Sequence, residues 1–479
     1  MGTVIRDSPG PDRDRLSYAT RMKRAAVVLA AVATLCLSLA AAAERALEDR
    51  EDAANWPQWR GPAGLGVSPA ADYPEDWAPK TETQAAKNIA WQTAVPGRGH
   101  SSPVVWGHRL FITTSIEGEL VPGHTAPDHM GFDMKGGYLH ADSTGVDHKY
   151  ALKVLAYDTR NGKLLWEKTS YDGLMYDNRH KKNTYASSTI ATDGTRLYAF
   201  FEAAGLYAYD VDGTLAWKAS LGNIAKAGMG PGTSPIIYED LVILQIDQEM
   251  GAGSAIVALD TKTGKERWRA ARSTRRSWAT PLIVRTPIRT EMIASGAEVV
   301  VSYDPATGRE LWRAPGVQSH PIPSAVASNG VVFLSAGSQA KRAVAIRLGG
   351  AGDLKDSPLI VWRYDKGTAY VPSPIVYKDS LYLMSDKGLI TCLDALTGQL
   401  KYEGGRPPVP STFTASLVAY GDRLLQTSED GDTFVVKAGP AHEIIRTNTV
   451  GEPVYASLAL ARGTIYIRGE RHLFAIRKP

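Results

Sequence analysis

The chain has 479 residues and a formal net charge of +4, with its 54 Lys and Arg residues dispersed along its length. So small and scattered an excess makes no basic stripe of the kind that tracks a nucleic-acid backbone, and no DNA or RNA partner is expected. Two cysteines, Cys36 and Cys392, cannot build a disulfide framework, while the length suits either two or three ordinary domains or one repeat body.

From the N-terminus, residues 1–21 are polar and contain Pro, which is unusual ahead of a leader, and translation could start at Met1 or at Met22. Arg21, Lys23 and Arg24 form a basic region, Ala25 to Leu39 an apolar run, and Ala41 to Ala43 a cleavage site of small residues, so a Sec-type signal peptide is expected. Read as a membrane anchor, the same run falls short of the roughly 20 residues a spanning helix needs. Leu35 ahead of Cys36 is bulky where a lipoprotein peptidase wants a small side chain, which argues against lipidation. The expected organisation is an upstream extension and signal peptide over 1–43, an N-terminal strap over 44–87 containing Trp56-Pro57-Gln58-Trp59-Arg60-Gly61-Pro62, and a repeat body over 88–479. The mature chain is expected to be periplasmic or secreted, monomeric and free of a transmembrane span.

The repeat body carries a phrase made of Ser-Pro or a variant of it, two or three apolar residues, a turn and a second apolar strand. It starts at Ser102, Ser188, Ser234, Thr280, Ser324, Ser373, Ser416 and Ser457, with spacings of 86, 46, 46, 44, 49, 43 and 41. After the first, these match a propeller blade. A second phrase, Asp-x-x-x-Gly-x-x-x-Trp, closes many units: Asp158, Gly162, Trp166; Asp260, Gly264, Trp268; Asp304, Gly308, Trp312; Asp394 and Gly398 with Tyr402; and, one residue shorter, Asp210, Gly213, Trp217. Asp caps a tight hairpin, Gly takes its positive φ, and the aromatic opens the outer strand and packs between blades. The last unit, from Ser457, holds only three strands, and Asn88 to Thr93, centred on Trp91, supplies the missing fourth. The expected fold is all-β, an eight-bladed β-propeller of four-stranded blades closed by an N-terminal strand, which leaves no open sheet edge.

At these residues, over roughly Asn88 to Ile476, the sequence resembles the pyrroloquinoline-quinone (PQQ) binding-like propeller repeats, and with Pro57 to Pro62 the exported members of that set. Two kinds of relative share the repeat: quinoprotein alcohol dehydrogenases, and a propeller lipoprotein of the outer-membrane β-barrel assembly machinery, a scaffold. Enzymes of the first kind hold PQQ between a Trp floor and an adjacent-cysteine disulfide, with calcium on carboxylate and amide oxygens and an Asp base. No Cys-Cys pair occurs here and no catalytic residue carries over. Trp278 could serve as the floor, although packing between blades explains it more simply.

Strand alternation brings the lead-in to strand one and the link between strands two and three to one face. His100, Tyr185, Trp278, Tyr370, Phe413 and Tyr455 are expected to ring the channel mouth there, as candidates for holding a cofactor, inside a collar of Glu202, Asp247, Asp386, Lys387, Glu429, Asp430, Arg468 and Glu470. The long first spacing puts an insertion, Ser115 to Tyr150 with Thr169 to Thr184, on the same face. His124, Asp128, His129 and His140, with Asp142, offer nitrogen and oxygen donors for a metal, but their spacing fits no zinc or calcium signature and solvated loop residues are the simpler reading. Gly228 to Gly232 precedes a strand, not a helix, so it is no phosphate cradle. Ser101 and Ser102 beside His100 follow the repeat and need no nucleophilic role. The functional expectation is a binding or scaffolding module that takes a protein or small molecule on this face; the alternative is an atypical PQQ-dependent oxidoreductase using PQQ with calcium.

Overall fold

Each repeat phrase opens an antiparallel four-stranded sheet, and eight such sheets follow one another along the chain. The computed structural model describes Gly2 and residues 54–479 except 125–141, 176–178, 223–228, 231, 249–250, 319 and 339, so the expected leader lies outside the described residues. Blade three sets the pattern with Ile236–Tyr238, Leu241–Ile246, Ala255–Asp260 and Glu266–Ala271. Its second strand is buried along its whole length, because both faces of a blade pack on neighbours, whereas the outer strand alternates with solvent. In blade eight the inner strands Ala459–Ala461, Thr464–Arg468 and His472–Ile476 take Ile89–Ala94 as their outer strand, with Trp91 opposite Ala475. The wheel is thus an eight-bladed propeller closed by an early segment. Blade four alone gains a fifth strand, Gly352–Asp353, parallel to Glu310–Pro315.

The Ser of the repeat phrase has a specific bonding role. Backbone N–H groups donate to the hydroxyl of the next blade from Ser102 to Thr189, Thr189 to Ser234, Ser234 to Thr280, Thr280 to Ser324, Ser324 to Ser373, Ser373 to Ser416 and Ser416 to Ser457, at 2.9 to 3.2 Å. A buried N–H left unbonded would be costly, so a small hydroxyl is required at each link. The girdle corrects one register: in blade two the equivalent residue is Thr189, while Ser188 donates to Thr233 O at 2.7 Å. The eighth link is missing, since the Ser102 hydroxyl is buried without a partner.

At the rim, the Gly of each Asp-Gly turn seats the Trp of the preceding blade. A Cβ on Gly162, Gly213, Gly264 or Gly398 would lie 2.5 to 2.8 Å from Trp91, Trp166, Trp217 or Trp362 respectively, and Gly308 covers Trp268 in the same way. Positive φ also reserves these positions for glycine. The indole N–H groups of Trp91, Trp166, Trp217 and Trp362 donate to carbonyls just past the next blade's third strand, at 2.8 to 3.2 Å. Two positions depart from this: Trp268 Nε1 is buried without a partner, and at Trp312, where unit five lacks the Asp-Gly turn, Nε1 donates instead to the buried Glu291 carboxylate at 2.6 Å. Ser302 Oγ, Gly349 N and Arg289 Nε also donate to that carboxylate.

Residues 54–87 run across the end of the wheel where strand one leaves each blade. Trp56 pairs with Val105, Pro57 O accepts from Thr192 N, Trp59 Nε1 donates to Ser324 Oγ, and Ser68 N donates to Ala419 O. Arg60 is fully enclosed and donates to Leu65 O and Pro374 O at 2.9 and 2.8 Å. The opposite end carries the candidate site.

Candidate functional site

Register against the girdle decides which lead-in residues reach the mouth. His100, Trp278 and Tyr455 all stand two residues before their girdle residue, and all three are half-buried. His100 stacks on Tyr455 with ring centroids 4.7 Å apart, and Trp278 faces His320 at 6.0 Å. Tyr185 stands four before Thr189 and Phe413 three before Ser416, and both turn into the blade interfaces. Tyr185 packs edge-on against Tyr150 at 4.8 Å and Phe413 against Phe434 at 6.3 Å. Tyr370, three before Ser373, is half-buried. The expected six-membered aromatic ring is therefore two separate pairs, with Tyr185 and Phe413 belonging to the core.

The expected collar divides too. Asp386, Lys387, Glu429, Asp430 and Glu470 remain at least partly accessible, but Glu202, Asp247 and Arg468 are buried. Glu202 sits in a 3-10 turn after strand two of blade two and receives Arg276 Nη2 at 2.5 Å. Asp247, at the end of strand two of blade three, receives Arg272 Nε at 2.8 Å and Gln245 Nε2 at 2.7 Å. Burial outweighs these cations: the Asp247 carboxyl is pushed up to about 6, and that of Glu202 is also raised. Arg276 also donates to Gly230 O at 2.6 Å and lies 5.1 Å over the Trp278 ring. Phe200, Glu202, Gln245, Asp247, Arg276 and Trp278 line a partly open pocket with room for about one water, into whose surroundings Gln245 Oε1 and Arg276 Nη1 bring unpartnered buried atoms. The two arginines were not singled out in the sequence, although Arg267, Arg269, Arg272, Arg275 and Arg276 crowd one outer strand and the lead-in after it.

The described part of the blade-one insertion folds over this mouth. Ser143–Thr144 pairs with Arg179–His180, His180 N and Asn183 Nδ2 donate to Met229 O, and Lys182 reaches Glu429 of blade seven at 3.1 Å. His180 and Lys181 both approach Asp142. His124 N donates to Val121 O; Asp128, His129 and His140 lie outside the described residues. Among the described residues no group of three or more potential ligands converges on a metal position.

A protein-family model, outer membrane protein assembly factor BamB, matches residues 150–400 and 296–477, about two thirds of the chain. The chain belongs to this BamB family. Among solved structures, BamB from Moraxella catarrhalis is similar at 14% identity and a TM-score of 0.51, over 77% of this chain and 98% of that one. Quinohemoprotein alcohol dehydrogenase from Comamonas testosteroni is similar at 12% identity and a TM-score of 0.59, over 89% of this chain and 81% of that one. A second such dehydrogenase, from Pseudomonas putida HK5, gives 11% and 0.55 over 89% and 80%. No curated protein sequence matches the chain. At these identities the structural likenesses establish the propeller fold and no more.

In this BamB-family propeller the described residues leave no open stacking face on the Arg276 side of Trp278. The guanidinium of Arg276 lies over the indole, and Gly232 packs so closely beside it that a Cβ there would come within 2.6 Å. Beside the ring, the space among the described residues has room for about one water.

Proposed function

We propose that the protein is an exported binding or scaffolding propeller that engages a protein partner through its mouth face, with the blade-one insertion as docking loop. The observation that carries this reading is the cover on Trp278: an arginine held by Glu202 and Gly230 O fills the place where a cofactor would stack. Supporting it, the described part of a long insertion on a rigid scaffold stands at the mouth and is tied to blade seven through Lys182 and Glu429. Export rests on the Arg21 to Ala43 leader pattern. No helix among the described residues is long and apolar enough to cross a membrane. A protein partner accords with a family described by an assembly factor.

A photocrosslinking residue at Lys181 or Lys387, both exposed on the mouth face, should give a discrete adduct in the native cell envelope. One at Ile288, 74% exposed on the strap end, should not. Deleting residues 121–147 should abolish the mouth-face adduct. Saturable PQQ binding with calcium, accompanied by alcohol-dependent dye reduction, would sink the reading in favour of the oxidoreductase.

A further inference from the structure

The seam between blades eight and one departs from the other seven. Arg468 ends the second strand of blade eight, is 2% exposed, and donates through Nη1 to Ser101 Oγ and O at 2.6 and 3.3 Å. No carboxylate among the described residues pairs with it. The cations around it are all matched: Arg98 with Glu470 at 4.0 Å, Arg179 with Glu117 at 3.6 Å, Lys182 with Glu429 at 3.1 Å. One guanidinium charge is left over, in a setting where an uncompensated ion is costly. Burial alone draws Arg468 down to about 9. Burial and the cations Arg468, Arg98 and Arg179 hold His100 down near 3, so its ring stays neutral and adds no charge.

Two further observations belong to this seam. The Ser102 hydroxyl is buried with no partner, where the girdle would otherwise close. Gly99 has no side chain to collide with the Arg468 guanidinium, as any Cβ there would. Beside them lies the stack of His100 and Tyr455, half-buried at the mouth.

We propose that this seam binds a small monocarboxylate, the Arg468 guanidinium taking the carboxylate and the His100–Tyr455 stack taking the apolar body attached to it. A planar two-oxygen anion matches the donor fork of a guanidinium. At a buried site one guanidinium leaves the second charge of a phosphate dianion unneutralised, and the cost of burying that charge favours a singly charged anion. The site is separate from the Trp278 cavity and stands whether or not a protein docks above it.

Thermal unfolding of the full chain, at constant ionic strength set with sodium chloride, tests this with benzoate, acetate and inorganic phosphate as probes. Benzoate should raise the midpoint saturably by about 2 °C or more, acetate by less, and phosphate not at all, since a ligand that binds only the native state shifts the equilibrium toward it. Arg468→Met should abolish the benzoate response. Should that variant fail to fold, Tyr455→Ala decides, because its ring lies outside the blade cores: it should bring the benzoate response down to that of acetate. A flat wild-type response, an equal phosphate response, a benzoate response retained in Arg468→Met, or one unchanged in Tyr455→Ala would each overturn the proposal.

Discussion

Asp247 and Gly264 mark two ways in which single residues of this wheel are constrained. The Asp247 carboxyl titrates near 6 when folded, against about 3.9 in an unfolded chain. Between those values the folded state holds the extra proton, so this group's contribution to stability falls as pH rises from about 4 to about 6. The expected loss is roughly 3 kcal/mol at about 1.4 kcal/mol per unit. Urea midpoints for Asp247→Asn should lose that component of the pH slope while the wild type keeps it. Gly264 has φ +68, and Trp217 lies 2.5 Å from where its Cβ would be. Gly264→Ala therefore combines a left-handed backbone with an overpacked indole, and should cost about 2 to 4 kcal/mol in urea unfolding.

At the scale of elements, closure depends on one strand from the opposite end of the sequence. Trp91 fastens Ile89–Ala94 into the same joint that Trp166 and Trp217 make elsewhere, with Gly162 beneath it and Thr159 O taking its N–H at 2.8 Å. Trp91→Ala should remove about 3 to 5 kcal/mol and expose the edge of blade eight, visible as a lower unfolding midpoint and as concentration-dependent association in size-exclusion chromatography. This closure was legible in sequence because Trp91 stands in a short apolar strand with no Ser-Pro phrase of its own and the last unit is one strand short. The blade-two register was not, because Ser188 and Thr189 are adjacent hydroxyl residues and only the bond to Ser234 chooses between them. Nor was the replacement of a glycine seat by Glu291 beneath Trp312, a contact between residues 21 apart on two strands of one blade.

For the whole molecule, the repeat announced the wheel while the site stayed largely hidden. Ser-Pro and Asp-Gly-Trp recur because every joint solves the same packing problem, and recurrence is visible in a string of letters. The charge cluster does not recur. Glu202 and Asp247 follow the second strands of blades two and three, Arg272 and Arg276 stand in the link from blade three to blade four, and their pairing is fixed only once those blades are set side by side. The offset that sends His100, Trp278 and Tyr455 to the mouth but Tyr185 and Phe413 inward likewise needs the girdle as its ruler.

Every bond in that girdle points the same way around the axis, so the circle has a direction and, at Ser457, a loose end. Seven amides are tied to the next sector, whereas the Ser102 hydroxyl that would receive the eighth takes no bond. Thermal breathing should begin there, with the first and last sectors parting like the jaws of a clasp. Native-state deuterium exchange should find the Ser457 amide labelling well ahead of the amides of Ser234, Thr280 and Ser324.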